Sequence, residues 1–248
     1  MIDLVREWAV GWLNGRNEEA CERALAPDYR LRIGSVELDG RDNYISATLG
    51  QLTNYPGLVL TVHDLIRSGE LCAVAFTEHG AAAHRDGAVA AWRGIVIHQL
   101  QGQQIQRSWA EEDYASRSAQ LTAGQPLPIL PPAAAPWDVP SVPADPQAEH
   151  CVRNWLEAGM PVQPDVVIDS GQEAYDRRSM PAIEQVDIDV LFSAGLAVGF
   201  HATVQYAGGA RQGMAGLLRV LEQGLLTGQV VTDRAGLQRQ QKADKPAV

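Results

Sequence analysis

Eight of the chain's 14 prolines fall within residues 122–146, most of them in the run LPILPPAAAPWDVPSVPADP. Proline lacks a backbone N–H and fixes φ, so this segment can propagate neither a helix nor a central strand. Folded structure must therefore form separately in residues 1–121 and 147–241, with residues 122–146 as a semi-rigid, largely polyproline-like connection. Ile129, Leu130 and Trp137 give the connection apolar points, which predict packing on a neighbouring surface. Service as a docking strap for a partner protein is the alternative.

The two sides of this connection repeat one pattern. Trp12-Leu13 is matched by Trp155-Leu156, and Pro27-Asp28 before a strand by Pro164-Asp165. HDLIRSGELCAVAF (63–76) parallels DVLFSAGLAVGF (189–200), with Gly69 on Gly195. WAEEDYASRSAQ (109–120) parallels QVVTDRAGLQRQ (229–240), with Asp113 on Asp233 and Gln120 on Gln240. The second copy is shorter between its first helix and first strand and again before its last hairpin. One fold twice in one chain predicts an internal pseudo-dimer; a homodimer of whole chains is a further arrangement open to it.

Apolar residues make up 46% of the sequence, ordinary for a globular protein, and the net charge is −10. That charge repels phosphate backbones and anionic lipid surfaces, so nucleic acid and membrane are excluded as expected partners. Charged residues within MIDLVREWAV stand where a signal peptide needs an apolar core, and a cytoplasmic location is expected. Cys21, Cys72 and Cys151 are odd in number and lack paired spacing, which fits reduced thiols better than disulfides or a metal site.

Val5, Trp8, Trp12 and Leu13 recur at helical spacing, predicting an amphipathic helix over residues 3–14 with Asp3 as N-cap and Gly15 as its stop. A short helix over 18–25 precedes a strand over 29–33, and Tyr44, Ile45, Leu49 and Leu52 place a helix over 41–52, closed by Tyr55-Pro56-Gly57. Strands follow over 58–65 and 71–78, then a hairpin over about 88–109. Helices first and meandering strands after them indicate an α+β unit.

The hairpin carries the main chemical lead. Ile95–Leu100 and Ile105–Trp109 flank the turn Gln101-Gly102-Gln103, and the second strand runs into Glu111-Glu112-Asp113. If the strand persists, alternation puts Ile105, Arg107, Trp109, Glu111 and Asp113 on one face. A carboxyl beside an indole and other carboxyls is held toward its protonated form by desolvation and like-charge repulsion, the setting of a general acid/base. Against this stands a plainer reading, in which Glu-Glu-Asp is a solvated strand exit or the charged start of a helix.

Gly102, Trp109, Asp113, Gln120 and Leu121 together resemble the closing motif of the SnoaL-like polyketide cyclase family. Asp28-Tyr29, Gly40-Arg41 with Tyr44, Tyr55-Pro56 and Gly69-Glu70 extend the resemblance over residues 2–121. Arg32 departs from it, standing near where the family often places a histidine. The resemblance implies the nuclear-transport-factor-2-like superfold, a curved antiparallel sheet wrapped around helices into a cone with an internal pocket. It also implies Asp113 as general acid/base. The expected architecture is thus α+β, two such cones, the second shortened.

His98 and Glu111 are the candidate second proton carriers, and Trp109, Trp92, Tyr29, Tyr44 and Arg32 the candidate substrate-binding residues. His79 and His84 lie in HGAAAHRDGAVA, a predicted loop at the pocket mouth. In the second copy Gln229 replaces Trp109, and Val231-Thr232 replaces Glu111-Glu112, so Asp233 is expected to cap a helix. The leading functional expectation is a cyclase or isomerase, needing no cofactor and no metal, acting on an apolar, carbonyl-containing small molecule. The alternative is a non-catalytic ligand binder or scaffold. Epoxide opening would need an Asp-Arg-Asp relay, for which Arg32 or Arg107 with Asp113 is the nearest set.

Overall fold

The computed structural model describes residues 2–169 and 182–243, the last three as backbone only. The N-terminal helix α1 (Ile2–Arg6) continues as a π-helical stretch over Glu7–Asn14 and is closed by Gly15. Asp3 lies inside its first turn and is not its N-cap. Helix α2 (Glu18–Ala24), capped by Asn17, leads directly into β1 (Leu25–Ile33), which therefore starts four residues earlier than alternation from Tyr29 predicts. Strand β2 (Val36–Asp39) and helix α3 (Arg41–Asn54) follow. Strands β3 (Val59–Ser68), β4 (Leu71–Ala82), β5 (Ala88–Gln101) and β6 (Gln104–Glu112) then meander into α4 (Tyr114–Ala123). Past the proline-rich connection come α5 (Pro146–Glu157), β7 (Asp165–Ile168), β8 (Ile183–Ala194), β9 (Ala197–Tyr206), β10 (Arg211–Val220), β11 (Leu226–Thr232) and α6 (Arg234–Ala243).

The first sheet has the order β2-β1-β6-β5-β4-β3 and the second β7-β11-β10-β9-β8, one strand sequence appearing twice. Both sheets are mixed, which corrects the wholly antiparallel expectation: β1 runs parallel to β6, and β7 parallel to β11, while the meander strands are antiparallel. The parallel pair arises because β1 and β6 are separated by the helix α3 and the whole meander, too long a path to be a hairpin. Equivalence extends to single side chains. Gly69 and Gly195 both turn their hairpins with φ near +55° (54° and 58°), a conformation that side chains with a Cβ resist. Gln120 Oε1 accepts from Ala91 N–H and its Nε2 donates to Ala91 O, and Gln240 makes the same two bonds to Arg211. Only residues 158–164 separate α5 from β7, which leaves the second unit without a counterpart of α2.

Each unit curls its sheet around its own helices. In the first, Val5, Trp8 and Trp12 of the N-terminal helix and Tyr44 of α3 pack against Val74, Phe76, Val96 and Ala110. In the second, Trp155 and Leu156 pack against Phe200, Tyr206 and Met214. The opposite faces of the two sheets meet each other, with Ile95, Ile97, Trp109 and Ala73 of one unit against Phe192, Leu217, Ala215 and Val231 of the other. The chain is therefore an internal pseudo-dimer. The proline-rich connection lies along it: Ala133 and Val142 donate backbone hydrogen bonds to Val62 and Arg67 of β3, and Pro143 accepts one from Gly195. It covers an edge strand of its own fold.

Cys21 and Cys72 are buried free thiols, both pushed up to about 12 by burial. No helix among the described residues is long and apolar enough to cross a membrane.

Phe192 belongs to the core between the sheets and is 5% exposed, so Phe192→Ala should lose about 3–5 kcal/mol in urea unfolding. Two separated transitions in that variant would show the units uncoupling; unchanged stability would contradict the packing.

Candidate active site

A cavity of about 290 Å³ opens inside the first cone. Trp8, Leu13, Tyr29, Tyr44, Phe76 and Val96 form its apolar walls, the turn at Gly34-Ser35 and the start of β2 its rim, and Asp233 and Arg239 of the second unit border it. Its polar lining includes Glu78 on β4 and Glu112 at the end of β6, with Gln51, Thr48 and Tyr114, besides Glu111 and Asp233 toward the second unit.

The register of the meander brings the two glutamates together, since Glu78 pairs with Trp92 and Gly94 pairs with Glu112 on adjacent strands. Both side chains are buried and hydrogen-bond each other, so at least one proton is held between them. Gln51 Nε2 donates to Glu78 Oε2 at 2.6 Å, and Trp92 Nε1 donates to Glu112 Oε2 at 2.7 Å. Burial, then the neighbouring Glu112 charge, holds the Glu78 carboxyl well above the usual carboxylate range. Glu112 is also raised by burial, but donors from Trp92 and Tyr114 and the Arg117 charge favour its ionised form. These surroundings favour the shared proton on Glu78. One acid and one base, set apart by surroundings, face the same cavity.

The residues singled out by sequence are distributed differently from the expectation. β6 ends at Glu112, so alternation stops one residue short of Asp113, which instead is the N-cap of α4. Its Oδ1 accepts from Ser116 N–H at 2.9 Å, it is fully buried, and it does not line the cavity. Glu111 and Trp109 point to the opposite face of the sheet from Glu112, toward the second unit. Glu111 Oε1 accepts from Gly34 N–H at 3.2 Å and meets His201 Nε2 at 3.1 Å, touching the cavity only alongside Gly34 and Asp233. Trp109 packs between the sheets, with Arg107 4.6 Å from its ring, and is no part of the cavity wall. His98 is buried behind Trp8 at a ring separation of 4.7 Å, its Nδ1 2.8 Å from Ser108 Oγ. Burial pushes it down to about 3, leaving it neutral and away from the cavity.

Trp92 stands behind Glu112 as a hydrogen-bond donor and not as a wall. Tyr29 and Tyr44 do line the cavity, and Tyr44 Oη accepts from Trp8 Nε1 at 2.9 Å. Arg32 is turned away, bonded to Asp189 at 2.6 Å and Thr203 at 2.7 Å of the second unit. Neither it nor Arg107 reaches Asp113 as an Asp-Arg-Asp relay would require. His79 lies beside Thr61 and His84 against Tyr55, both outside the cavity. Asp233 caps α6 through Gly236 N–H at 2.7 Å.

Sequence reading passed over Glu78, Gln51, Tyr114 and the inward role of Glu112. For Glu78 a signal was present: it occupies the same phase as Cys72, Val74 and Phe76, the inward face of an apolar strand.

A SnoaL-like domain profile matches residues 5–108, which run from the N-terminal helix to within β6. These residues are a SnoaL-like domain. Among solved structures, IdmH of Streptomyces antibioticus, described as a candidate polyketide cyclase, is 16% identical with a TM-score of 0.44, over 48% of this chain and 96% of its own. TsrD of Streptomyces laurentii is 20% identical with a TM-score of 0.45, over 49% and 93%. A protein of Catenulispora acidiphila with a ketosteroid isomerase-like fold, solved with trimethylamine, is 18% identical with a TM-score of 0.43, over 48% and 92%. No curated protein matches the chain.

The raised Glu78 gives the SnoaL-like domain a pH-dependent stability. A folded-state pKa above the unfolded value means that the unfolded chain loses its proton first, so stability falls as pH climbs from the ordinary glutamate range of about 4.3 toward the raised value. Glu78→Gln keeps a donor for Glu112 but carries no charge. It should be more stable than wild type by a margin that grows with pH in thermal melts, and a margin constant from acid to neutral pH would contradict the buried pair.

Proposed function

We propose that the protein is an acid/base catalyst, a cyclase or isomerase acting without a cofactor on an apolar, carbonyl-containing small molecule. The observation that carries this is the buried Glu78–Glu112 pair facing an apolar cavity inside a SnoaL-like domain. The carboxylate of Glu112 takes a proton from a carbon next to the carbonyl. The carboxylic acid of Glu78 hydrogen-bonds or protonates the oxygen on which charge develops, in a site where water is displaced. Returning the proton at another carbon gives isomerisation; attack of the enolate carbon on a second carbonyl gives ring closure, the abstracted proton passing to the new alkoxide so that both carboxyls return to their starting states. Trp8, Tyr29, Tyr44 and Phe76 hold the apolar body of the substrate, and Gln51, Trp92 and Tyr114 keep the two carboxyls oriented. Asp113 supports this site by capping α4, the helix that begins with Tyr114.

Deuterium exchange at the acidic carbon of a small apolar 1,3-diketone, followed by NMR, tests the step without knowledge of the natural substrate. Wild type should accelerate exchange, and Glu112→Gln should reduce it by about 10²-fold or more. Asp113→Asn, whose side-chain oxygen can still cap, should retain most of it. Exchange retained in Glu112→Gln would overturn Glu112 as the base, and diketone binding with no exchange in wild type would leave a non-catalytic binder as the correct reading.

A further inference from the structure

A second cavity, of about 530 Å³, lies across Tyr114 from the first, and Ala47, Gln51 and Tyr114 line both. The chain carries a net charge of −10, yet among the described residues this lining contains Arg85, Arg117 and His84 and no acidic residue. Asn54, Ser118 and Thr122 add neutral hydrogen-bonding groups. Arg117 is the central feature. Its guanidinium stands 4.3 Å from the ring of Tyr114, 5.0 Å from Trp92 and 5.4 Å from Tyr55. Among the described residues it makes no side-chain hydrogen bond and no ion pair. Aromatic faces hold a guanidinium in place without occupying the in-plane N–H groups, which remain available to a planar or tetrahedral oxyanion.

We propose that this second cavity is an oxyanion site, taking a carboxylate or phosphate group on Arg117, with Arg85 and His84 at its exposed margin. Two sources share that chemistry. One is a free anion. The other is the charged end of a ligand whose apolar part occupies the neighbouring cavity, across the shared side chains of Gln51 and Tyr114. The site borders the proton-transfer pair, since the Arg117 charge also favours the ionised form of Glu112, but it is defined by its own charge and stacking and is read by anion binding, not by turnover.

Calorimetry and tryptophan fluorescence, reporting through Trp92, test it with inorganic phosphate, decanoate and decanol as probes. Saturable binding of phosphate or decanoate is expected, weakened roughly tenfold or more in Arg117→Met and measurably in Arg85→Ala. Arg85 is exposed, so its variant keeps the test valid should Arg117→Met misfold. Decanoate binding well above both phosphate and decanol identifies a ligand tail; phosphate binding as well as decanoate identifies a free anion. Absence of saturable binding by both anions, or equal affinity in wild type and both variants, overturns the proposal.

Discussion

The structure depends on the back-to-back packing of two sheets, each of which turns its other face inward on its own helices. A strand sends successive side chains to opposite faces, so every central strand is divided between a cone interior and the contact between units. On β6 this division separates neighbours: Trp109 and Glu111 go to the contact, while Ala110 and Glu112 go to the cone. The same rule on β4 sends Ala73 and Ala75 outward to the second unit and Val74, Phe76 and Glu78 inward. The chemistry of the cavity is thus fixed by parity along two strands.

The contact between units is not wholly apolar. His201 bridges Asp189, at 2.8 Å, and Glu111, at 3.1 Å, and Arg32 holds the far oxygen of Asp189. Burial would lower the His201 pKa, but its hydrogen bonds to the two carboxyls outweigh that and raise it. A buried imidazole held between two acids is a poor source of net stability, yet it penalises any register in which one member is left alone. Glu111 fits because Gly213 has no side chain; a Cβ there would lie 2.0 Å from Glu111 Oε1. A small residue in one copy and an acid in the other make the two halves complementary instead of identical.

The two units keep the same frame and differ in their interiors. The second unit retains what the shared fold requires: the turn at Gly195, the cap at Asp233 and the clamp at Gln240. At the positions matching Trp92 and Glu112 it carries Gln212 and Thr232, which bond each other at 3.1 Å and accept no proton. Its cone is packed with Trp155, Phe200 and Tyr206. Its contribution to the first cavity is made at the rim, through Asp233 and Arg239.

By itself the sequence determined that the proline-rich stretch propagates no helix or central strand, most of the helices and strands of the first half, and the SnoaL-like character of that half. These are properties of local pattern: proline geometry, helical and strand periodicity, and glycine at turns. Tyr29 and Tyr44 were also legible as wall residues, because aromatics on inward phases mark an interior. What only the tertiary structure decided was which acids meet. Glu78 and Glu112 are 34 residues apart and become neighbours through β5, which pairs with both of their strands. A strand that stops at residue 112 instead of 113 converts Asp113 from a pocket acid into a helix cap. That boundary is set by backbone hydrogen bonding among β5, β6 and α4, which residue types alone do not encode.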